Sequence, residues 1–158
     1  MYVGRSTTPH QKTPDRNPTR AARAAKARNQ PSIADSARRA AEKAFRESEA
    51  LFRKLFEEHT AIKLILDPAT GAIMDANEAA ATFYGWSREQ LRQMRIQDIN
   101  TLPPEALRRE IHKVLSRKKV RFEFRHRRAD GSIRDVEVFS SRIEVWGKSL
   151  LQSIVHDI

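Results

Sequence analysis

Between residues 119 and 138 the apolar residues recur with a period of two, and this alternation constrains the fold more than any other feature. Val120, Phe122 and Phe124 alternate with Arg121, Glu123 and Arg125. After Ala129-Asp130-Gly131, Val136 and Val138 alternate with Asp135 and Glu137. Successive strand residues point to opposite faces, and Asp-Gly between two such runs is a hairpin turn signal. A hairpin centred on Asp130 sets Phe124 opposite Val136 and Phe122 opposite Val138, all on one face. On the other face Arg125 meets Asp135. A slip of one residue would set these apolar side chains against charges, so the register is specified.

The rest of residues 60–158 can be read around that hairpin. Ile62–Asp67 and Ile73–Ala76 read as strands joined by the turn Pro68-Ala69-Thr70-Gly71, with Pro where φ is preset and Gly where φ is positive. Asn77 stands at an N-cap position before a short helix 79–84 that Gly85 stops. Ser87 and Gln90 have capping-box spacing for a helix 88–93. Thr101-Leu102-Pro103-Pro104-Glu105 opens a longer helix, whose Leu107, Ile111, Val114 and Leu115 share one face. Trp146-Gly147-Lys148 reads as a turn and Leu150–Val155 as the last strand. Two runs of strands separated by helices predict an α+β fold: a five-stranded antiparallel sheet with helices over one face.

Two segments precede this domain. Residues 32–58 read as an amphipathic helix capped by Ser32 or Asp35. Ala37, Ala41, Ala44, Ser48, Leu51 and Leu55 form a heptad-like seam beside Phe45, Phe52 and Phe56. The seam suits packing on the helix's own domain or pairing across a homodimer, with Ala44, Leu51, Phe52 and Leu55 as the dimer-helix candidates. Residues 1–31 read as a disordered basic tail. Arg5, Lys12, Arg16, Arg20, Arg23, Lys26 and Arg28 outnumber Asp15 and Asp35 within residues 1–35 and supply half of the net charge of +10. Beyond the tail the signs are mixed, as on an ordinary solvated surface, which argues against nucleic acid as the partner of the folded part. A salt-dependent, non-specific contact by the tail stays open.

Composition closes off several classes. With 39% hydrophobic and 32% charged residues, the chain suits one globular domain with a polar extension. It has no Cys, so thiolate zinc sites and disulfides do not arise. The five His show no metal-ligand spacing, and no apolar run approaches the ~20 residues of a membrane span. A cytoplasmic setting is the simplest expectation. No nucleophile stands beside a base in a recognisable motif, and no glycine-rich phosphate loop occurs. Glu57-Glu58-His59, at the end of a charged helix, reads as a solvated cap. The expectation is therefore not an enzyme.

Several short patterns, in order, resemble the PAS (Per-Arnt-Sim) family in its bacterial sensor form. They are Glu49-Ala50-Leu51-Phe52-Arg53-Lys54-Leu55-Phe56-Glu57, Asp75-Ala76-Asn77-Glu78-Ala79-Ala80, Tyr84-Gly85-Trp86-Ser87 with Gln90-Leu91, and Met94-Arg95-Ile96-Gln97-Asp98-Ile99-Asn100. Arg128-Ala129-Asp130-Gly131-Ser132 with Asp135-Val136-Glu137-Val138, and Gly147-Lys148 leading to Ile154-Val155-His156-Asp157-Ile158, complete the series. The resemblance covers residues 49–158. It implies a small pocket between sheet and helices, and sensing or dimerisation coupled to a histidine kinase (two-component) or diguanylate cyclase output outside this chain. It also implies that Asp157 transmits the signal to that output.

The family's cofactors are weighed on this chain's residues. The missing Cys argues against covalent flavin photochemistry and leaves non-covalent flavin open. Haem-binding relatives use a His on the long helix. His112 lies on that helix but off its apolar face and about a turn early, so it reads as a surface residue. The pocket candidates are Leu64, Leu66, Phe83, Tyr84, Ile96, Ile99, Ile111, Phe122, Phe124, Val136, Val138 and Ser140, with Tyr84, Ser140 and Gln152 as polar groups able to orient a ligand. Aromatic and aliphatic residues at these periods also serve as plain core. The sequence therefore supports a sensory module that binds a small ligand or partner, or alternatively a ligand-free dimerisation scaffold.

Overall fold

The structure is a computed structural model that describes Gly4, Pro9, residues 19–117, residues 120–145 and residues 147–158. Most of the basic tail, including Arg5, Lys12, Asp15 and Arg16, and Trp146 of the third predicted turn lie outside the described residues. The chain divides into two compact units, Met1–Phe45 and Arg46–Ile158.

In the first unit, helix α1 spans Arg20–Arg28, inside the stretch whose composition reads as disordered. Its Ala, Arg and Lys residues are strong helix formers, and that propensity wins locally. Helix α2, Ile33–Phe52, starts in this unit. Of the two cap candidates Ser32 takes the position: its Oγ accepts from the Asp35 N–H at 3.1 Å, and the Asp35 carboxylate accepts from the Ser32 hydroxyl at 2.8 Å. The helix buries no residue.

The second unit begins within α2. The sequence predicts one helix to residue 58, but α2 ends at Phe52 and a π-helical turn, Arg53–Glu57, comes next. Phe52 and Phe56 stack at 5.1 Å, and Phe56 is buried. Then come β1 (Ile62–Leu66), β2 (Ile73–Ala76), α3 (Glu78–Tyr84), α4 (Arg88–Leu91), α5 (Ile96–Ile99), α6 (Pro104–Leu115), β3 (Arg121–Arg127), β4 (Ile133–Val145) and β5 (Lys148–Asp157). The five strands form one antiparallel sheet in the order β2-β1-β5-β4-β3.

The β3–β4 register agrees with the alternation in the sequence: Phe122 pairs with Val138, Phe124 with Val136 and Arg125 with Asp135. The side chains of Leu64, Leu66, Phe122, Val136, Val138, Leu151 and Val155 share one buried face, under α3, α5 and α6. Each such side chain taken out of water contributes ~1.5–3 kcal/mol.

Local chemistry fixes the helices over that face. Asn77 caps α3, and Gly85 ends it in the left-handed region at φ 84°, where a Cβ would also lie 3.1 Å from the Ala129 Cβ. Ser87 and Gln90 form a reciprocal capping box at α4. Helix α5 is the element the periodicity alone does not predict. One turn long, it starts where the Asp98 carboxylate accepts from the Arg95 N–H at 2.8 Å. Among the described residues no helix is long and apolar enough to cross a membrane.

Candidate functional site

A cavity lies between the inner face of the sheet and helices α5 and α6. Its apolar wall is built from Leu64 and Leu66 of β1, Ile96 of α5, Leu107, Ile111 and Val114 of α6, Phe122 and Phe124 of β3, Val138 of β4, and Leu151 and Val155 of β5. The polar lining is Asn100, Glu110, His126, Ser140 and Ser153. The space open to the centres of water-sized molecules is about 40 Å³. A single water needs roughly 10–15 Å³ on that measure, so there is room for a few waters or a small organic molecule.

Of the sequence candidates, Leu64, Leu66, Ile96, Ile111, Phe122, Phe124, Val138 and Ser140 line this cavity, and Phe83, Tyr84, Ile99 and Val136 do not. Val136 packs instead with Val138 and Val155 in a separate cluster that Phe83 flanks. Ile99 is fully buried in the main core. Phe83 lies edge-on to Tyr84, with the Arg128 guanidinium 5.3 Å over its ring. Gln152 alternates with Leu151 and Ser153 and so projects from the opposite face of the sheet. His112 is exposed on the outer side of α6.

Sequence reasoning missed the polar lining residues His126, Asn100, Ser153 and Glu110, and did not name Leu107, Val114, Leu151 and Val155 as pocket residues. His126 continues the inward phase of Phe122 and Phe124 by one step, so extending the alternation would have found it. Asn100 has no periodic signal: it comes directly after the single turn of α5 and pairs with His126 through an isolated antiparallel bridge.

The polar end of the cavity is a buried chain of neutral groups. The Tyr84 hydroxyl lies 2.9 Å from His126 Nδ1, and Asn100 Nδ2 lies 3.4 Å from His126 Nε2. Burial pushes the His126 pKa down to about 4 and the Tyr84 pKa well above its ordinary value. Farther along the sheet the Ser140 and Ser153 hydroxyls bond each other at 2.8 Å on neighbouring strands. Glu110 is held by Lys113 at 2.7 Å. Among the described residues no group of three or more His, Asp or Glu is placed to hold a metal ion.

Two further features join this domain to its ends. Strand β5, whose Leu151, Ser153 and Val155 line the cavity, ends at Asp157. There the carboxylate accepts from both Nε and Nη2 of Arg134 on β4, at 3.0 and 2.5 Å. At the other end, Glu57 of the π turn pairs with Arg88 at 3.1 Å. Arg88 also donates to the Ala76 carbonyl at 2.8 Å and lies 3.6 Å from Asp75.

The family described as PAS domain matches residues 46–158, the whole of the second unit. The chain belongs to the PAS family. Its curated relatives include the diguanylate cyclase DgcM of Escherichia coli (strain K12), 35% identical over 116 residues, which are 72% of this chain and 28% of the relative. The chain thus spans well under a third of that relative's length.

Among solved structures it resembles the PAS domain of an HTR-like protein from Haloarcula marismortui, with 23% identity, a TM-score of 0.67 and coverage of 76% of this chain and 99% of that one. It also resembles a PAS domain from a two-component sensor histidine kinase, with 22% identity, a TM-score of 0.61 and coverage of 75% and 99%. This PAS domain thus shares its fold with a PAS domain of a two-component sensor histidine kinase and its sequence pattern with part of a diguanylate cyclase.

Proposed function

We propose that this PAS domain is the input module of a signalling protein. A small molecule in the cavity, or a partner protein, shifts a two-state equilibrium, and the shift reaches a histidine kinase or diguanylate cyclase type output through Asp157. The observation that carries the reading is the continuity of β5. Three of its residues wall the cavity, and the same strand ends, two residues after Val155, at the Arg134–Asp157 pair. A ligand acts only through its differential affinity for two states, and a strand that touches both cavity and exit offers a direct route for that difference. Absorption spectroscopy of the purified chain, then mass spectrometry of what denaturation releases, tests this. A stoichiometric small molecule supports the reading. A bare chain that also binds nothing in a metabolite screen overturns its ligand branch.

A second reading, a dimerisation module, is favoured by the exposure of Leu51 and Leu55, which are 58% and 57% accessible, and of Phe52. Ala44 is exposed as well. Such side chains suit a homodimeric seam. Solution mass with and without residues 1–48 tests it: monomers in both forms dispose of this reading.

A further inference from the structure

The buried chain Tyr84–His126–Asn100 has more donor hydrogens than acceptors. The Asn100 amide is oriented unambiguously, because its Oδ1 accepts from the Leu102 N–H at 2.9 Å. Its Nδ2 therefore presents two N–H groups, of which one faces His126 Nε2 at 3.4 Å. If Nε2 is the acceptor, the proton is on Nδ1 and donates to the Tyr84 oxygen. The Tyr84 hydroxyl hydrogen and the second Asn100 N–H then have no acceptor among the described residues. If Tyr84 donates to Nδ1 instead, Nε2 carries hydrogen and confronts the Asn100 amide, donor against donor. In either tautomer at least two donor hydrogens of the set lack an acceptor. His126 and Asn100 are 2% and 4% accessible, so bulk water does not supply one. Both residues line the cavity, which has space for an acceptor atom.

We propose that Asn100 and His126 form a donor pair for the acceptor oxygen of a small, uncharged carbonyl compound lodged in this cavity. The proposal rests on the ligand-binding reading above and specifies its chemical class. With a carbonyl oxygen in place, Tyr84 donates to Nδ1, and the ligand oxygen accepts from Nε2–H and from one of the two Asn100 N–H groups, so three of the four donor hydrogens in the set have an acceptor. The rest of the ligand meets a wall of Leu, Ile, Val and Phe side chains. A carboxylate is disfavoured because the donor pair is neutral and the one formal charge on the lining, Glu110, is negative. A hydrocarbon is disfavoured because it leaves the donors orphaned.

Three compounds of similar size separate these cases: cyclopentanone, methylenecyclopentane and cyclobutanecarboxylate, each titrated into the full chain and monitored by amide and side-chain nitrogen NMR. Cyclopentanone is expected to saturate the lining residues at least tenfold tighter than the other two, to shift the Asn100 side-chain amide, and to move the His126 proton to Nε2 in long-range nitrogen correlations. Tyr84→Phe is expected to lower that preference for the Nε2 tautomer. Asn100→Leu, where it folds, is expected to reduce the tenfold preference to less than twofold. A carboxylate or hydrocarbon that binds as tightly as the ketone overturns the carbonyl assignment and leaves the cavity a ligand site. Saturable shifts from none of the three overturn both, the acceptor then being cavity water only.

Discussion

The ammonium of Lys63, a residue only 9% accessible, donates to the Leu55 carbonyl oxygen at 2.7 Å. This bond ties β1 to the π turn after α2, so the end of the N-terminal helix is held by the sheet itself. A hydrogen bond from a charged donor contributes ~1.5–3 kcal/mol. Lys63→Met, which keeps most of the apolar stem, is expected to lose about that much stability in urea unfolding. It should also raise amide hydrogen exchange across residues 53–58. Unchanged exchange there would show that the turn is held by the Glu57–Arg88 pair alone.

Asn77 makes four hydrogen bonds while fully buried. Its Oδ1 accepts from the Lys63 and Ala80 N–H groups, both at 3.0 Å, and its Nδ2 donates to the His59 and Ala61 carbonyls at 3.2 and 2.7 Å. One side chain thus caps α3 and closes the start of β1. Asn77→Ala removes the cap and leaves several buried backbone groups unpaired, for an expected loss of ~3–5 kcal/mol. A denaturation midpoint close to that of the parent would mean that water enters and replaces the amide.

His126 makes stability depend on pH. Its folded pKa of about 4 lies below the ordinary 6.5, so between these values the unfolded chain binds the extra proton. Stability is then full above the unfolded value and falls as pH drops through the window toward the folded one, by a few kcal/mol in total. Tyr84, its direct partner, does not titrate there, and Glu110 faces the same cavity, so the comparison needs a variant. His126→Phe should remove most of the slope between pH 6.5 and 5 in chemical unfolding. Equal slopes in parent and variant would refute the assignment to His126.

These cases also show what the sequence could reveal. The β3–β4 register is legible because Phe122, Phe124, Val136 and Val138 satisfy one pairing only, and Asn77, Ser87 and Gly85 announce helix ends through local chemistry. The polar end of the cavity is not legible. Asn100 and His126 are 26 residues apart and meet only because β3 passes the end of α5, a relation with no period in the sequence. Tyr84, a ligand-contact candidate from the sequence, reaches the cavity only through His126, because α3 sets it behind that ring. The π turn is hidden for a related reason. Residues 53–57 carry helical propensity, and it is tertiary bonds from Lys63 and Arg88 that hold the turn there.

Ser140 and Ser153 offer a test of how the cavity floor is satisfied. Either single change to Ala leaves the other hydroxyl buried without its partner, at an expected cost of ~1–3 kcal/mol. The double variant removes both polar groups together and should cost no more than one single change, a coupling that a double-mutant cycle measures directly. Additive costs would indicate that each hydroxyl has a separate partner, such as a cavity water.

Arg134 and Asp157 form a two-pronged pair at the end of β5, with side chains 44% and 34% accessible. An ion pair this exposed contributes at most ~1 kcal/mol to folding. Asp157→Ala should therefore leave the unfolding transition nearly unchanged. If the pair couples the cavity-lining strand to the output, the same variant should abolish the response of the full-length protein's output activity to its signal. Arg134→Ala should do the same. Exchanging the two charges, with Arg134→Asp and Asp157→Arg together, should restore part of the response, because the pair would re-form with its partners reversed. A full response in Asp157→Ala would remove Asp157 from the signalling route and leave the β4–β5 end as a structural clasp only.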